Sequence, residues 1–348
     1  MDNILEKIVQ EKRSEELTKL NALNLVNSLF NELMDREKDI LTRRFGLDGD
    51  NYQTLDKIGK LHKLTRERVR QIEGASIKKI KRLDNLDEYL QVLRGVVNDL
   101  LREHGGTLRR DFLLDILTVM SMEMNEEDLP VNHEQKVNRQ AYRNRYNFLI
   151  SKLLTDDFSY SQGGSDFNSS ISLKDQSVQS FEEIGLELLN KIEALNKTVD
   201  TNELIEIMQQ LESYRQHEEN LKLGRNLDIS CIFKSKIFPD KAEIINRVKP
   251  LYSIIQSLKN LERNKFGFWG KSDWQEIKPK TINDKIYLVL KNYGQSLHFT
   301  EIADKINEVK FDQKKANSAT VHNELILDDR YVLTSRGTYG LREWQKTS

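Results

Sequence analysis

Residues 54 to 82 read TLDKIGKLHKLTRERVRQIEGASIKKIKR, and the reading of this stretch decides the fold around it. Thr54 and Thr65 are hydroxyl residues placed just before apolar-periodic runs, where a side-chain oxygen can cap a helix. They predict a short helix from Thr54 to about Leu61 and a longer one from Thr65 to about Arg82. Leu55, Ile58, Leu64, Val69 and Ile72 fall where a helix-turn-helix needs apolar residues. Gly59 lets the two helices approach, and Leu64 plugs the turn between them. Val69 and Ile72 then face inward, which leaves Arg66, Glu67, Arg70 and Gln71 on the outer face of the second helix, within its first two turns.

A recognition helix meets base edges with its N-terminal residues. Arginine suits guanine, glutamine suits adenine and glutamate accepts from the cytosine amino group. Arg66, Glu67, Arg70 and Gln71 are therefore the candidate base readers. Lys57, Thr65, Arg68, Lys78, Lys79 and Lys81 are the candidates for phosphate, which positions a protein without reading sequence. The stretch holds ten basic and three acidic residues, a net +7 inside a chain of net charge −1. Such a compact basic segment is an electrostatic footprint for phosphate.

Working outward, Leu23 to Phe45 reads as helical, with Asp35 able to cap a helix over Arg36–Phe45. Gly46 stands where a left-handed C-terminal residue is wanted, and Leu47 to Gln53 carries turn residues. Leu41-Thr-Arg-Arg-Phe-Gly46, Thr54-Leu-Asp-Lys-Ile-Gly59 and Leu64-Thr-Arg-Glu-Arg-Val-Arg-Gln-Ile-Glu73 together resemble region 4 of the sigma-70 family. The resemblance covers about Leu23 to Arg82, a sixth of the chain. It implies that this helix reads a promoter −35 element, with Arg66, Glu67 and Gln71 on bases and Arg68 and Arg70 near the backbone. It further implies that Leu29 to Phe45 binds the flap of the RNA polymerase β subunit. Three residues depart from the family pattern. His62 stands at a usually apolar position and is expected to be a packing variant. Gly74 sits inside the second helix, at a cost of roughly 1 kcal/mol against alanine. Ala75 replaces a common basic residue. About 20 residues precede the region-4-like part, so a domain that opens promoter DNA is not expected before it.

Downstream, three segments repeat one pattern. Leu101-Arg-Glu-His-Gly105-Gly-Thr-Leu108 aligns with Leu290-Lys-Asn-Tyr-Gly294-Gln-Ser-Leu297, and Ile192-Glu-Ala-Leu-Asn196-Lys-Thr-Val199 follows both. Each reads as a helix end, a Gly- or Asn-containing turn, one apolar residue and the start of a second helix. Trp269-Gly-Lys-Ser-Asp-Trp274 likewise parallels Tyr339-Gly-Leu-Arg-Glu-Trp344. In the last unit a third helix over Ser318–Asp328 and a hairpin of Tyr331–Leu333 with Thr338–Leu341 complete a winged helix. Ile282 to Trp344 resembles the HARE-type winged helix found in the delta subunit of RNA polymerase and in chromatin- and restriction-linked proteins. Tyr339 and Trp344 are expected in its core. Its nine basic and nine acidic residues cancel, which suits protein docking at least as well as phosphate binding.

The expected architecture is mainly α, with tandem helix-turn-helix and winged-helix domains carrying small β-hairpin wings. Residues 1–82 form the region-4-like head, 83–160 a winged-helix-like domain and 161–180, SQGGSDFNSSISLKDQSVQS, a flexible linker by composition. Residues 181–276 form a degenerate winged-helix-like domain and 277–348 the HARE-type domain.

The chain has 348 residues, 31% of them charged, with a mean hydropathy of −0.63. Its lone cysteine, Cys231, rules out an internal disulfide and is expected as a buried, inert thiol. The opening MDNILEKIVQEK lacks the layout of a signal peptide, and no apolar run approaches the ~20 residues of a membrane helix. A cytoplasmic protein with no membrane partner is expected. No phosphate-cradling glycine loop, HExxH motif or metal-ligand spacing appears, so neither enzymatic activity nor a cofactor is expected. The function implied is a promoter-reading transcription protein whose partners are double-stranded DNA and RNA polymerase. The alternative is an accessory polymerase subunit that binds protein instead of DNA.

Overall fold

The computed structural model describes residues 20–123, 134–176, 178–222 and 244–347. Cys231 and the opening stretch lie outside the described residues. The chain divides into two compact units, Met1–Glu182 with Gln216–Ser257, and Glu183–Arg215 with Leu258–Ser348.

Among the described residues, the first unit begins with α1 (Ala22–Phe30), α2 (Asp35–Phe45), α3 (Leu55–His62) and α4 (Arg66–Lys81). Asn21 caps α1 through its side-chain oxygen, which accepts from Leu23 N at 2.9 Å. Asp35 is the first residue of α2 and not its cap. The exposed amide of Met34 is instead taken by the Glu37 carboxylate at 2.8 Å. Gly46 ends α2 at φ +59°, the left-handed conformation that glycine adopts without steric cost.

A winged helix follows: α5 (Leu86–Glu103), β1 (Thr107–Arg109), α6 (Arg110–Glu123), α7 (Glu134–Phe148), β2 (Phe158–Ser161) and β3 (Ser170–Leu173). The sheet order is β1-β3-β2, antiparallel throughout, with Leu108 opposite Ile171 and Tyr160 opposite the same residue. The stretch 161–180 is thus not a free linker. β3 is the central strand, and all four of its residues are buried. Its Ser-rich composition hides an alternation in which Ile171 fills the core while buried Ser172 is satisfied by the Thr107 hydroxyl at 3.1 Å.

The expected module over 181–276 is also divided. Residues 216–257 belong to the first unit, where α11 (Lys249–Ser257) packs on β1. There Leu251, Tyr252, Ile254 and Ile255 are buried, Ser253 Oγ donates to Thr107 O at 2.6 Å, and Lys249 pairs with Glu103 at 2.9 Å. Between β3 and α11 the chain forms α8 (Gln179–Leu195), α9 (Thr201–Gln210) and α10 (Glu212–Leu221).

In the second unit, Val199 bridges Trp269 between α8 and α9, and β4 (Leu261–Arg263) pairs with β5 (Trp269–Lys271). The C-terminal winged helix runs α12 (Ile282–Tyr293), β6 (Leu297–His298), α13 (Phe299–Val309), α14 (Ser318–Leu327), β7 (Tyr331–Ser335) and β8 (Thr338–Leu341). Its sheet order is β6-β8-β7. Ile286, Val289, Ile302, Val321, Leu325 and Tyr339 share its core, with Trp344 packed against it.

The internal repeat is borne out in three dimensions. Gly105, Asn196 and Gly294 all take positive φ, at +76°, +49° and +66°. The apolar residue three positions later is buried each time and pairs with a strand: Leu108 with Ile171, Val199 with Trp269, Leu297 with Tyr339. The Trp-Gly and Tyr-Gly tails match as well. A Cβ on Gly270 would lie 2.8 Å from the Trp274 ring, and one on Gly340 would lie 3.1 Å from the Trp344 ring. In both, an added Cβ would crowd the aromatic ring that closes over the strand. The protein is mainly α-helical, with small antiparallel sheets of two and three strands.

Candidate nucleic-acid interface

The head holds its second helix outward through a small apolar core. Ile40, Ile58 and Val69 are fully buried at its centre, and Leu55, Leu64 and Ile72 pack around them. The Thr54 and Thr65 hydroxyls accept from Lys57 N and Arg68 N, each at 3.2 Å, so both helices start where a capping residue dictates. Between them Lys63 takes φ +55°, and Leu64 N donates back to Gly59 O at 2.8 Å. A Cβ on Gly59 would lie 2.7 Å from Leu64 O. That contact is the close approach for which the sequence reserves a glycine.

With Val69, Ser76 and Ile80 buried, Arg66, Glu67, Arg70 and Gln71 all project into solvent. Glu67, Gln71, Gly74 and Lys78 follow at spacings of four, three and four, so they share one exposed stripe. The polar groups pair along the helix. Arg70 grips Glu67 through two nitrogens, at 2.8 and 2.6 Å, and Arg68 Nη1 donates to Gln71 at 3.2 Å. The Arg70 guanidinium holds the Glu67 carboxyl below its ordinary range. Arg66, Lys57 and Lys78 make no side-chain hydrogen bond among the described residues.

The phosphate candidates divide. Lys57, Arg68 and Lys78 are exposed on the head, and Thr65 serves as the cap of α4. Lys79 stands 3.6 Å from Glu37 of α2, and Lys81 donates to Thr155 Oγ1 at 2.9 Å. Lys81 is thus hydrogen-bonded within the protein at the C-terminal end of α4, while Lys79 makes a long, partly exposed ion pair.

His62 is a polar link and not a packing variant. Its Nε2 lies 2.7 Å from Asp39 Oδ2, and Arg43 Nε bonds the same carboxylate at 2.8 Å. Burial by itself would raise the Asp39 carboxyl, but the bonds from Arg43 and His62 outweigh it and hold the group low. Arg36 donates to His62 O at 2.9 Å. Arg44 reaches both Glu73 and Gln53 O, each at 3.2 Å. These links set α3 and α4 against α2. Apart from the Arg43–Asp39 pair within α2, local pattern cannot reveal them, because they join residues nine to 29 positions apart.

Residues 29–82 match the family model of sigma-70, region 4. Residues 280–344 match the HARE-HTH family model, a helix-turn-helix domain named in part for ASXL and restriction endonuclease proteins. Curated proteins similar to this chain include sigma factors. RNA polymerase sigma factor SigA of Lactococcus lactis subsp. cremoris is 46% identical over 56 residues, 16% of this chain and 15% of that one. The chloroplastic sigma factor sigD of Arabidopsis thaliana is 38% identical over 79 residues, covering 22% and 19%. SigA1 of Synechococcus elongatus is 39% identical over 69 residues, covering 19% and 17%. The chain therefore spans less than a fifth of the length of these relatives. No solved structure matches it. Among the described residues, no helix is long and apolar enough to cross a membrane.

Proposed function

We propose that the chain is a sequence-specific DNA-binding transcription protein of sigma-factor type. Its region-4 helix α4 reads a promoter −35-like element, and the protein docks on RNA polymerase to act in initiation or its regulation. The observation that carries this reading is the outer face of α4: Arg66, Glu67, Arg70 and Gln71, fully presented to solvent over the Ile40–Ile58–Val69 core. Their donors and acceptors suit major-groove base edges. Lys57, Arg68 and Lys78 flank them as phosphate contacts, and Thr65 fixes the helix end that enters the groove.

A specific observation favours a polymerase contact through the C-terminal winged helix. Its third helix α14, SATVHNELIL, holds no lysine or arginine. Ile326 and Leu327 there, and Leu333 on the wing, are 62%, 80% and 59% exposed. A phosphate-tracking helix needs cations, whereas these residues suit a protein surface. The experiment is duplex binding by the full chain across a salt series. A DNA reader loses affinity steeply as salt rises, with a log–log slope near −0.9 per phosphate contact. A chain whose head binds only protein shows no duplex preference and a shallow slope, which would shift the function to the accessory-subunit reading.

A further inference from the structure

In a helix-turn-helix the helix that enters the groove must present a free face. In the first winged helix that position belongs to α7, and its stretch from Arg139 to Phe148 presents none. From Arg139 to Phe148, Gln140 is its one exposed residue. One side packs on α6, where Arg143 pairs with Asp111 and Asp115 at 2.7 and 3.4 Å. The other side packs on the head. Phe148 meets the rings of Phe30 and Phe45 at 6.0 and 5.0 Å, and Tyr146 donates to Leu20 O at 3.0 Å.

Two α7 side chains also hold the loop between α2 and α3. Asn144, itself 2% exposed, donates to Gly46 O at 2.7 Å, while its own oxygen accepts from Tyr52 at 3.0 Å. Arg145 spreads its guanidinium over Leu47 O at 2.8 Å, Leu23 O at 3.0 Å and the Asn27 side chain at 2.9 Å. That loop leads directly into Thr54, the cap of α3, and so fixes where the helix-turn-helix begins.

We infer that α7 is a positioning element for the DNA-reading head and not a second DNA reader, with Asn144 and Arg145 clamping the 46–53 loop so that α3 and α4 are presented in one orientation. The inference rests on the reading of α4 as the DNA-contacting helix. A charged fork filling three carbonyl or amide acceptors is costly to remove, because an acceptor shielded by the fold loses its donor without fully regaining water. Arg143 and Arg145, the two basic side chains between Gln140 and Phe148, are spent on the protein itself.

The test uses the full chain with Arg145→Ala, Arg145→Lys and Arg139→Ala. Hydrogen exchange is read at the Leu47, Gly49 and Gln53 amides, which bond Thr42 O, Gly46 O and Arg43 O in the loop. Duplex affinity is read across a salt series. Arg145→Ala should speed exchange at those three amides and weaken specific duplex binding about tenfold, the scale of one charged hydrogen bond, while leaving the salt slope unchanged. Arg145→Lys keeps the fold and charge but cannot span the fork, so it should fall between the two. Arg139→Ala, at a half-buried position beside the exposed Gln140, should change neither readout. Unchanged loop exchange in Arg145→Ala, or a loosened loop with full affinity, overturns the inference. So does an Arg139→Ala protein with weaker binding and a shallower slope, since α7 would then touch phosphate. A wild-type chain that binds no duplex sinks the α4 reading instead, and the exchange data then decide the clamp alone.

Discussion

Two glycines in the head invite the same substitution and should respond with opposite signs. Gly59 faces the turn, where an added Cβ would lie 2.7 Å from Leu64 O. Carbon–oxygen contacts ordinarily stay beyond about 3.3 Å, so roughly 0.6 Å of movement is required. The carbonyl cannot swing aside cheaply, because Leu64 N is bonded to Gly59 O at 2.8 Å and Lys63 is already left-handed. Overpacking of this kind costs about 2–3 kcal/mol, against about 1 kcal/mol gained in helix propensity. Gly59→Ala should therefore lose about 1–2 kcal/mol net. Gly74 lies in the middle of α4 with nothing within 4 Å of an added Cβ, so Gly74→Ala should gain up to about 1 kcal/mol. For a unit of ~200 residues, each kcal/mol moves the melting temperature by about 2–4 °C. Thermal unfolding followed by circular dichroism measures both shifts, and hydrogen exchange at the Ile58 and Val69 amides localises them to the head. If Gly59→Ala melts at or above the wild-type temperature, the close helix approach inferred for the turn is wrong.

Lys78→Ala should weaken every duplex alike and make the salt slope shallower by about one unit, as titrations at several salt concentrations would show. Asp39, held low by Arg43 and His62, contributes stability above the unfolded carboxyl value of 3.8 that is lost as pH falls through its lower folded value. The melting-temperature gap between wild type and Asp39→Asn should accordingly narrow below about pH 4. His104 is fully buried beside Phe112, and burial lowers it from 6.5 to about 4. It stays neutral in the fold while the unfolded chain takes up a proton. The first unit should therefore lose up to roughly 3 kcal/mol as pH drops from about 6.5 to 4. His104→Leu should flatten that limb in urea unfolding curves.

Much of the head was legible because its signals are local. Thr54 and Thr65 cap the helices they were read to cap, and Gly59 sits at the contact that excludes a side chain. Leu55, Ile58, Leu64, Val69 and Ile72 share one core. The repeat was legible for the same reason, since a left-handed turn residue and one buried apolar residue recur at fixed spacing. What escaped was non-local or compositionally disguised. β3 escapes because Ser170 and Ser172 look like linker residues until Arg109 and Thr107 of β1 give them a sheet to join. The return of α11 to β1 depends on residues 146 positions apart. The hold of α7 on the head joins Asn144 and Arg145 to acceptors about 100 positions away. The engagement of Lys79 with Glu37 and of Lys81 with Thr155 was hidden in the same way. Charge counting along a helix sees cations but not their partners.

The central claim is that the outer face of α4 reads base sequence. Selection of bound duplexes from a randomised pool by the full chain, alongside the Arg66→Ala/Gln71→Ala protein, tests it directly. The account predicts that the wild-type chain enriches one short −35-like motif and that the double variant binds with that preference relaxed. Equal enrichment by both proteins, or no motif from the wild type, would contradict it.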